Sequence, residues 1–239
     1  VLGDSPQCDS NGICDRPCNN DANDEFMKFT ATTLYEWLND VSQPNTLAFS
    51  AISFSYCFWF YRVVAEKSFL ITHKGAATFG YVNQNLLLGV LYDGSPALAF
   101  FGNDLEVNGY KQQMNTWAHH CGVYDRTTLY RAIYINGVLV GSDTAATAYA
   151  GTGPLYAGIG GGWGNGWLDE FRFYSRVFTP DVPYLVYMNQ YCDNTALEIY
   201  YRFENVKGNN TVIWDFSGNN RHAYKYATDY AVITKVDTH

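Results

Sequence analysis

Charge is in short supply along this chain. Asp, Glu, Lys and Arg make up 16% of its 239 residues, well under the quarter usual for a soluble domain. No cluster of Lys or Arg occurs and the net charge is −8, so a phosphate backbone or an anionic membrane surface would be repelled. Nucleic acid is thereby disfavoured as a partner. A good membrane span is also lacking. The best candidate, 41–61, is interrupted by Gln43, Pro44, Asn45, Ser50, Ser53 and Ser55, which makes insertion unfavourable. Its period-two pattern reads as strand instead. No secretory signal opens the sequence, which is therefore expected to begin at a processed terminus.

Aromatic residues and cysteines are what the chain does have. Aromatics reach 17%, with 20 tyrosines, and solubility is left to Asn, Thr, Ser, Gly and Tyr, a habit of extracellular proteins. Six cysteines, an even count, suit up to three disulfides in a secreted protein. The sequon Asn209-Asn210-Thr211 agrees and makes Asn209 a candidate glycosylation site. Cys57 lies in Ser55-Tyr56-Cys57-Phe58-Trp59-Phe60-Tyr61 and Cys121 in Trp117 through Tyr124. Both segments read as strands, so a bridge between them would staple strands remote in sequence. Two buried thiols or a metal pair are the rival readings. Neither cysteine has a second one nearby, which argues against zinc.

Residues 1–24 form a polar leader with Cys8, Cys14 and Cys18 and no apolar periodicity. Thr33–Asp40 reads as a short helix. From Asn45 onward, short β-branched and aromatic runs alternate with turn signals such as Asp93-Gly94, Gly102-Asn103-Asp104 and Asn136-Gly137. The last of these lies between two apolar runs and predicts a type I′ hairpin. Thr179-Pro180-Asp181 reads as the opening of a helix to about Asn189. Strands return after Ala196, and the rest is antiparallel β, hence sandwich or barrel.

Four ordered motifs resemble the laminin-G-like, concanavalin-A-like jelly rolls, pentraxins included. Phe54 through Phe60 is similar to the first long core strand, and Trp117–Asp125 with Ile133-Tyr134-Ile135-Asn136-Gly137 is similar to a central hairpin. Gly166–Arg176 is similar to the closing strand, and Thr179-Pro180-Asp181 falls where the terminal helix belongs. The resemblance covers roughly residues 26–188. It implies a two-sheet antiparallel jelly-roll sandwich with one or two short helices, behind a disulfide-bonded leader. Cys57 and Cys121 match the single pentraxin disulfide. Cys8, Cys14, Cys18 and Cys192 are left to pair in any of three ways; a bridge from the leader to Cys192 would tie the ends of the domain together. One feature departs from the pattern. Tyr201-Arg202-Phe203 and Asp215-Phe216-Ser217-Gly218-Asn219 resemble a segment that usually opens the domain, yet here they follow the helix. Either the tail closes its own sandwich, since jelly-roll termini lie close together, or residues 196–239 complete a neighbouring subunit and build a homopolymer. The expected organisation is a leader over 1–24, a sandwich over 25–190 and completing strands over 191–239.

No catalytic constellation emerges. Glucanases of this fold need paired acids on one strand face, whereas adjacent Asp169 and Glu170 should point to opposite faces. In the resembled family such a pair serves structure, paired with an arginine such as Arg172 or Arg176. His119 and His120 should likewise diverge, one packed and one exposed, with no Ser or Cys elbow beside them. The resemblance raises calcium, which needs converging oxygens. The stretch matching the pentraxin acidic ligands, Ala157–Asn165, holds no carboxylate. A pentraxin-type double site is not expected, leaving a single ion near Asp93, Asn103 or Asp104 as the calcium candidate. Asp9-Ser10-Asn11-Gly12 reads better as a solvated turn.

Sugar binding needs exposed rings beside hydrogen-bonding groups on a rigid rim. Trp163 and Asn165, in a glycine-rich stretch, fit that need. Tyr92, Asp93, Asn103 and Asp104 join them if their loops share one rim. Trp167 sits at the resembled family's core position and is read as structural. The expectation is a secreted, non-catalytic module for adhesion or for recognition of glycans or extracellular proteins. A strand-exchanged filament subunit is the alternative, and a glycoside hydrolase is disfavoured.

Overall fold

The computed structural model describes residues 25–29, 38–39, 47–63, 65, 68–73, 82–152, 155–157, 166–203, 212–225 and 231–235. In chain order the strands are β1 (Glu25–Phe29), β2 (Leu38–Asn39), β3 (Phe54–Arg62), β4 (Ser68–His73), β5 (Leu86–Val90) and β6 (Pro96–Ala99). There follow β7 (Asp104–Glu106), β8 (Thr116–Tyr124), β9 (Tyr130–Ile135), β10 (Val138–Thr144), β11 (Leu155–Ala157) and β12 (Gly166–Tyr174). The helix α1 (Val182–Tyr187) precedes β13 (Leu197–Tyr201), β14 (Val212–Ile213), β15 (Ala223–Lys225) and β16 (Ala231–Lys235). One sheet runs β10-β9-β8-β3-β12-β1-β16, with β13 also on β12; the other runs β14-β15-β2-β11-β4-β5-β6-β7. Every pairing is antiparallel. This is the expected all-β jelly-roll sandwich.

Strand alternation explains the packing. Phe54, Tyr56, Phe58 and Phe60 of β3 point inward and are buried against Leu86, Leu88, Val90, Leu98 and Phe100 of the facing sheet. The other face of an antiparallel sheet usually meets water. Here Cys57, Cys121, Val123, Tyr134 and Tyr174 form a second buried cluster with Phe178, Val182, Val186, Tyr191 and Leu197. The helical segment thus covers the outer face, which is why β3 is aromatic on both sides. Cys57 and Cys121 are directly opposed in the β3–β8 register and form a disulfide.

The Asn136-Gly137 turn has φ of 50° and 77°, the paired positive values a type I′ hairpin requires. The helix opens later than expected, at Val182, with Asp181 at the cap position but no side-chain cap bond. Pro183, rather than Pro180, occupies the first turn, where the missing N–H goes unmissed. Asn189 at φ 53° ends the helix, as a left-handed residue does. The helix expected over Thr33–Asp40 gives way at its end to strand: Leu38 and Asn39 pair with β11 on one side and β15 on the other. Its remaining residues lie outside those described.

The tail strands join this chain's own sheets. Ile199 pairs with Phe173, Ile233 with Met27 and Tyr224 with Asn39. The Asp215 carboxylate pins the returning segment. It accepts Tyr200 N–H (2.9 Å), Ser217 N–H (2.9 Å), Ser217 Oγ–H (2.7 Å) and Arg221 N–H (2.9 Å).

Candidate functional site

The loops that carry the expected contact residues separate into two ends of the sandwich. At the Arg62 end of β3, Arg62 is buried and donates from Nη1 to Gln112 C=O (2.6 Å) and from Nη2 to Tyr92 C=O (2.6 Å). Buried Gln112 in turn donates from Nε2 to Phe60 C=O (2.9 Å). Gly94, at φ 92°, comes so close that a Cβ there would meet Gln112 O at 2.6 Å. The Leu91–Ser95 turn and the Lys111–Thr116 loop are thereby locked together over the strand end. Burial pulls the Arg62 guanidinium below its usual range, and the charge of Asp93 opposes that.

On this rim Tyr92 is 59% exposed. Beside it, Asp93 pairs with Lys111 and accepts Ser95 N–H (2.9 Å). Lys111, then the Ser95 amide, hold the Asp93 carboxyl down at about 2. A ring, a carboxylate and an ammonium are thus presented together. Trp163 and Asn165 lie outside the described residues, but the segment carrying them joins β12 at Gly166, whose register partner is Arg62. Asn103 and Asp104 are not on this rim. Asn103 donates to Asn83 Oδ1 (2.7 Å) and Thr147 C=O (3.1 Å), and its own C=O accepts from Arg131 Nη1 (2.6 Å). Arg131 pairs with Tyr124, opposite Phe54, so this group sits towards the other end of β3. Asp104 accepts Gly102 N–H (3.0 Å) there. Asp93 and Asp104, the two calcium candidates, therefore do not converge.

Trp167 is not in the inter-sheet core. It is half-buried on the outer face and stacks on Tyr61 (4.1 Å, 10°), with Trp117 5.5 Å from Tyr61 and 6.0 Å from Trp167. These rings pack on one another across β8, β3 and β12, forming a brace under the rim.

Both histidines are buried, a correction to the expected packed-and-exposed pair. They do face opposite ways, but the outer face is covered, so neither reaches water. His120 stacks on Phe58 (5.3 Å, 6°) and meets Gln112 Oε1 at 2.9 Å. His119 lies against Trp59 (5.1 Å) and Tyr187 (5.9 Å). Cys57, His119 and Cys121 bring their ligand atoms within 4.8 Å of one another, but the two sulfurs are joined as cystine and offer no thiolate. Cys192 is also disulfide-bonded. Its partner, Cys8, Cys14 and Cys18, and the sequon at Asn209 all lie outside the described residues.

A β-bulge in the β12–β3 register lies between Asp169 and Arg172 and takes in Glu170, at φ 51°, so the strict strand alternation expected of Asp169 and Glu170 does not hold. Asp169 is buried and accepts Glu170 N–H (2.8 Å). Glu170 pairs with Arg172 (2.8 Å) and accepts the Tyr200 hydroxyl. The pair is engaged structurally, with Glu170 on Arg172, one of the two arginines the resemblance implied, while Arg176 pairs with Asp193 (2.8 Å). Sequence reasoning missed Arg62, Gln112 and Lys111. Arg62 alone left a signal, a charge ending an otherwise aromatic strand.

The class this architecture defines is a two-sheet antiparallel jelly roll with a disulfide-pinned central strand pair. Residues 39–182 match the concanavalin A-like lectin/glucanases superfamily in its laminin-G form, and the chain belongs to that family. No curated protein matches it by sequence. Among solved structures, a Bacteroides ovatus protein described as carbohydrate-binding is similar at TM-score 0.62 and 17% identity, over 90% of this chain and 61% of that one. A heptameric pentraxin from Limulus polyphemus is similar at 0.51 and 17%, over 71% and 84%. A receptor binding domain is similar at 0.52 and 14%, over 72% and 44%. At these identities the likeness concerns fold. The chain spans 61% of the length of the Bacteroides ovatus protein.

Proposed function

We propose that this chain is a non-catalytic, extracellular glycan-binding module whose contact surface is the rim at the Arg62 end. The observation that carries the reading is the exposed Tyr92 ring beside the Asp93–Lys111 pair, on a turn held by buried Arg62. A sugar presents an apolar C–H face for a ring and hydroxyls for charged acceptors and donors, and a rigid turn lowers the entropy lost on binding. Trp163 and Asn165 would add a second ring and an amide from the segment that enters at Gly166. Membership of a lectin-containing family and the fold of a protein described as carbohydrate-binding support the same reading. The engaged state of Asp169 and Glu170 fits a binding role better than hydrolysis.

The test is a broad glycan array run with calcium and with a chelator. A bound glycan should lose at least tenfold in affinity with Tyr92→Ala, Asp93→Asn or Trp163→Ala, while thermal unfolding stays unchanged. No bound glycan in either condition, or release of reducing sugar that Glu170→Gln abolishes, would remove this reading.

A further inference from the structure

Outside the rim, a second surface has the chemistry of a saccharide contact. We infer that Trp214 and Phe216 form a separate platform for a neutral oligosaccharide, on the flank where β14 meets β13. This inference rests on the glycan-binding reading above but on none of the same residues.

Alternation along 213–216 places the rings. Ile213 and Asp215 are buried, whereas Trp214 and Phe216 are 49% and 44% exposed. Two residues apart on an extended segment, they stand on the same side at about 7 Å, comparable to the step between neighbouring sugar rings in an oligosaccharide. Large aromatic rings exposed as a pair are unusual on a soluble surface and mark contact sites.

Their carrier is rigid. Asp215 between them accepts four hydrogen bonds, Phe216 N–H donates to Tyr200 C=O (2.8 Å), and Asp215 forms a β-bridge with Tyr201. A pre-ordered pair binds without ordering loss.

Polar groups frame the rings. His222 stands edge-on to Trp214 (4.6 Å, 73°), and its Nδ1 accepts the Asp215 N–H (3.0 Å). With Nδ1 occupied as an acceptor, Nε2 is the ring nitrogen left to donate. The Arg202 guanidinium lies 5.1 Å from the centre of the Phe216 ring. Charge of one sign is not in excess here, since Arg221 pairs with Glu198 (3.1 Å) and the segment that carries the rings also holds the Asp215 carboxylate. A neutral sugar suits this surface better than an acidic one.

Affinity electrophoresis of the full chain tests the inference, in gels containing xyloglucan, laminarin, galactomannan or polygalacturonate. At least one neutral polysaccharide should retard the wild type. Trp214→Ala and Phe216→Ala should each weaken that retardation about tenfold at unchanged thermal midpoint, and Trp214→Tyr should keep most of it. Retardation lost in Tyr92→Ala but untouched in the Trp214→Ala/Phe216→Ala double variant would overturn the second platform and leave the rim standing. Retardation by polygalacturonate alone would overturn the neutral ligand. No retardation in any gel would overturn the second platform and leave the rim to the glycan array.

Discussion

Individual side chains set how this protein responds to acid and to crowding of its core. His120 is buried between Phe58 and Phe60 and, by desolvation, held down at about 3. An unfolded histidine titrates near 6.5, so unfolding takes up a proton between the two values. The His120 contribution is whole above pH ~6.5 and is lost as pH falls towards 3, at about 1.4 kcal/mol per pH unit. His120→Gln should flatten the stability–pH slope between pH 6 and 4 in urea titrations; an unchanged slope would show that the carboxylates govern acid unfolding. Gly122 is a tighter constraint. A Cβ there would meet the Tyr56 ring at 2.3 Å, so Gly122→Ala should cost roughly 1–3 kcal/mol by overpacking. Tyr56→Leu in the same chain should recover part of that loss. Arg62→Ala would leave the Tyr92 and Gln112 carbonyls without their buried donor, at roughly 2–3 kcal/mol, and should weaken glycan binding through the loosened turn.

At the level of elements, the β3–β8 pair and its cystine are the spine. The disulfide spans a sequence separation of 64, and on the chain-entropy model its removal costs about 4 kcal/mol. Cys57→Ala/Cys121→Ala should lower the denaturant midpoint accordingly without changing far-ultraviolet dichroism. A shift under 1 kcal/mol would mean that the covering helix, not the bridge, holds the pair together. The bulge at Glu170 is an element-scale feature that strand alternation alone could not foresee. It turns the Glu170 side chain towards Arg172 and Tyr200.

For the whole molecule, the tail is part of the sandwich. Removing 196–239 would strip β12 of β13, β1 of β16 and β2 of β15, and unpaired edges recruit other chains. The truncated chain should aggregate or oligomerise in light scattering, while the full chain should not; a soluble truncated monomer would show that the tail is dispensable. Much of this architecture was legible beforehand, because period-two aromatic runs, Asn136-Gly137 and the Cys57 and Cys121 strand contexts are local signals. The sequence by itself determined most of the strands, the hairpin and the sandwich class, though it read the β2 residues as helix. Only the tertiary structure decided that Tyr92 and Asp93 share an end with the root of the Trp163 segment while Asn103 and Asp104 sit at the other. It also decided that both histidines are buried and that Trp167 braces the outer face. The physical reason is that a strand's pattern states which side chains share a face, but not what covers that face, nor which loops a given register gathers at each end.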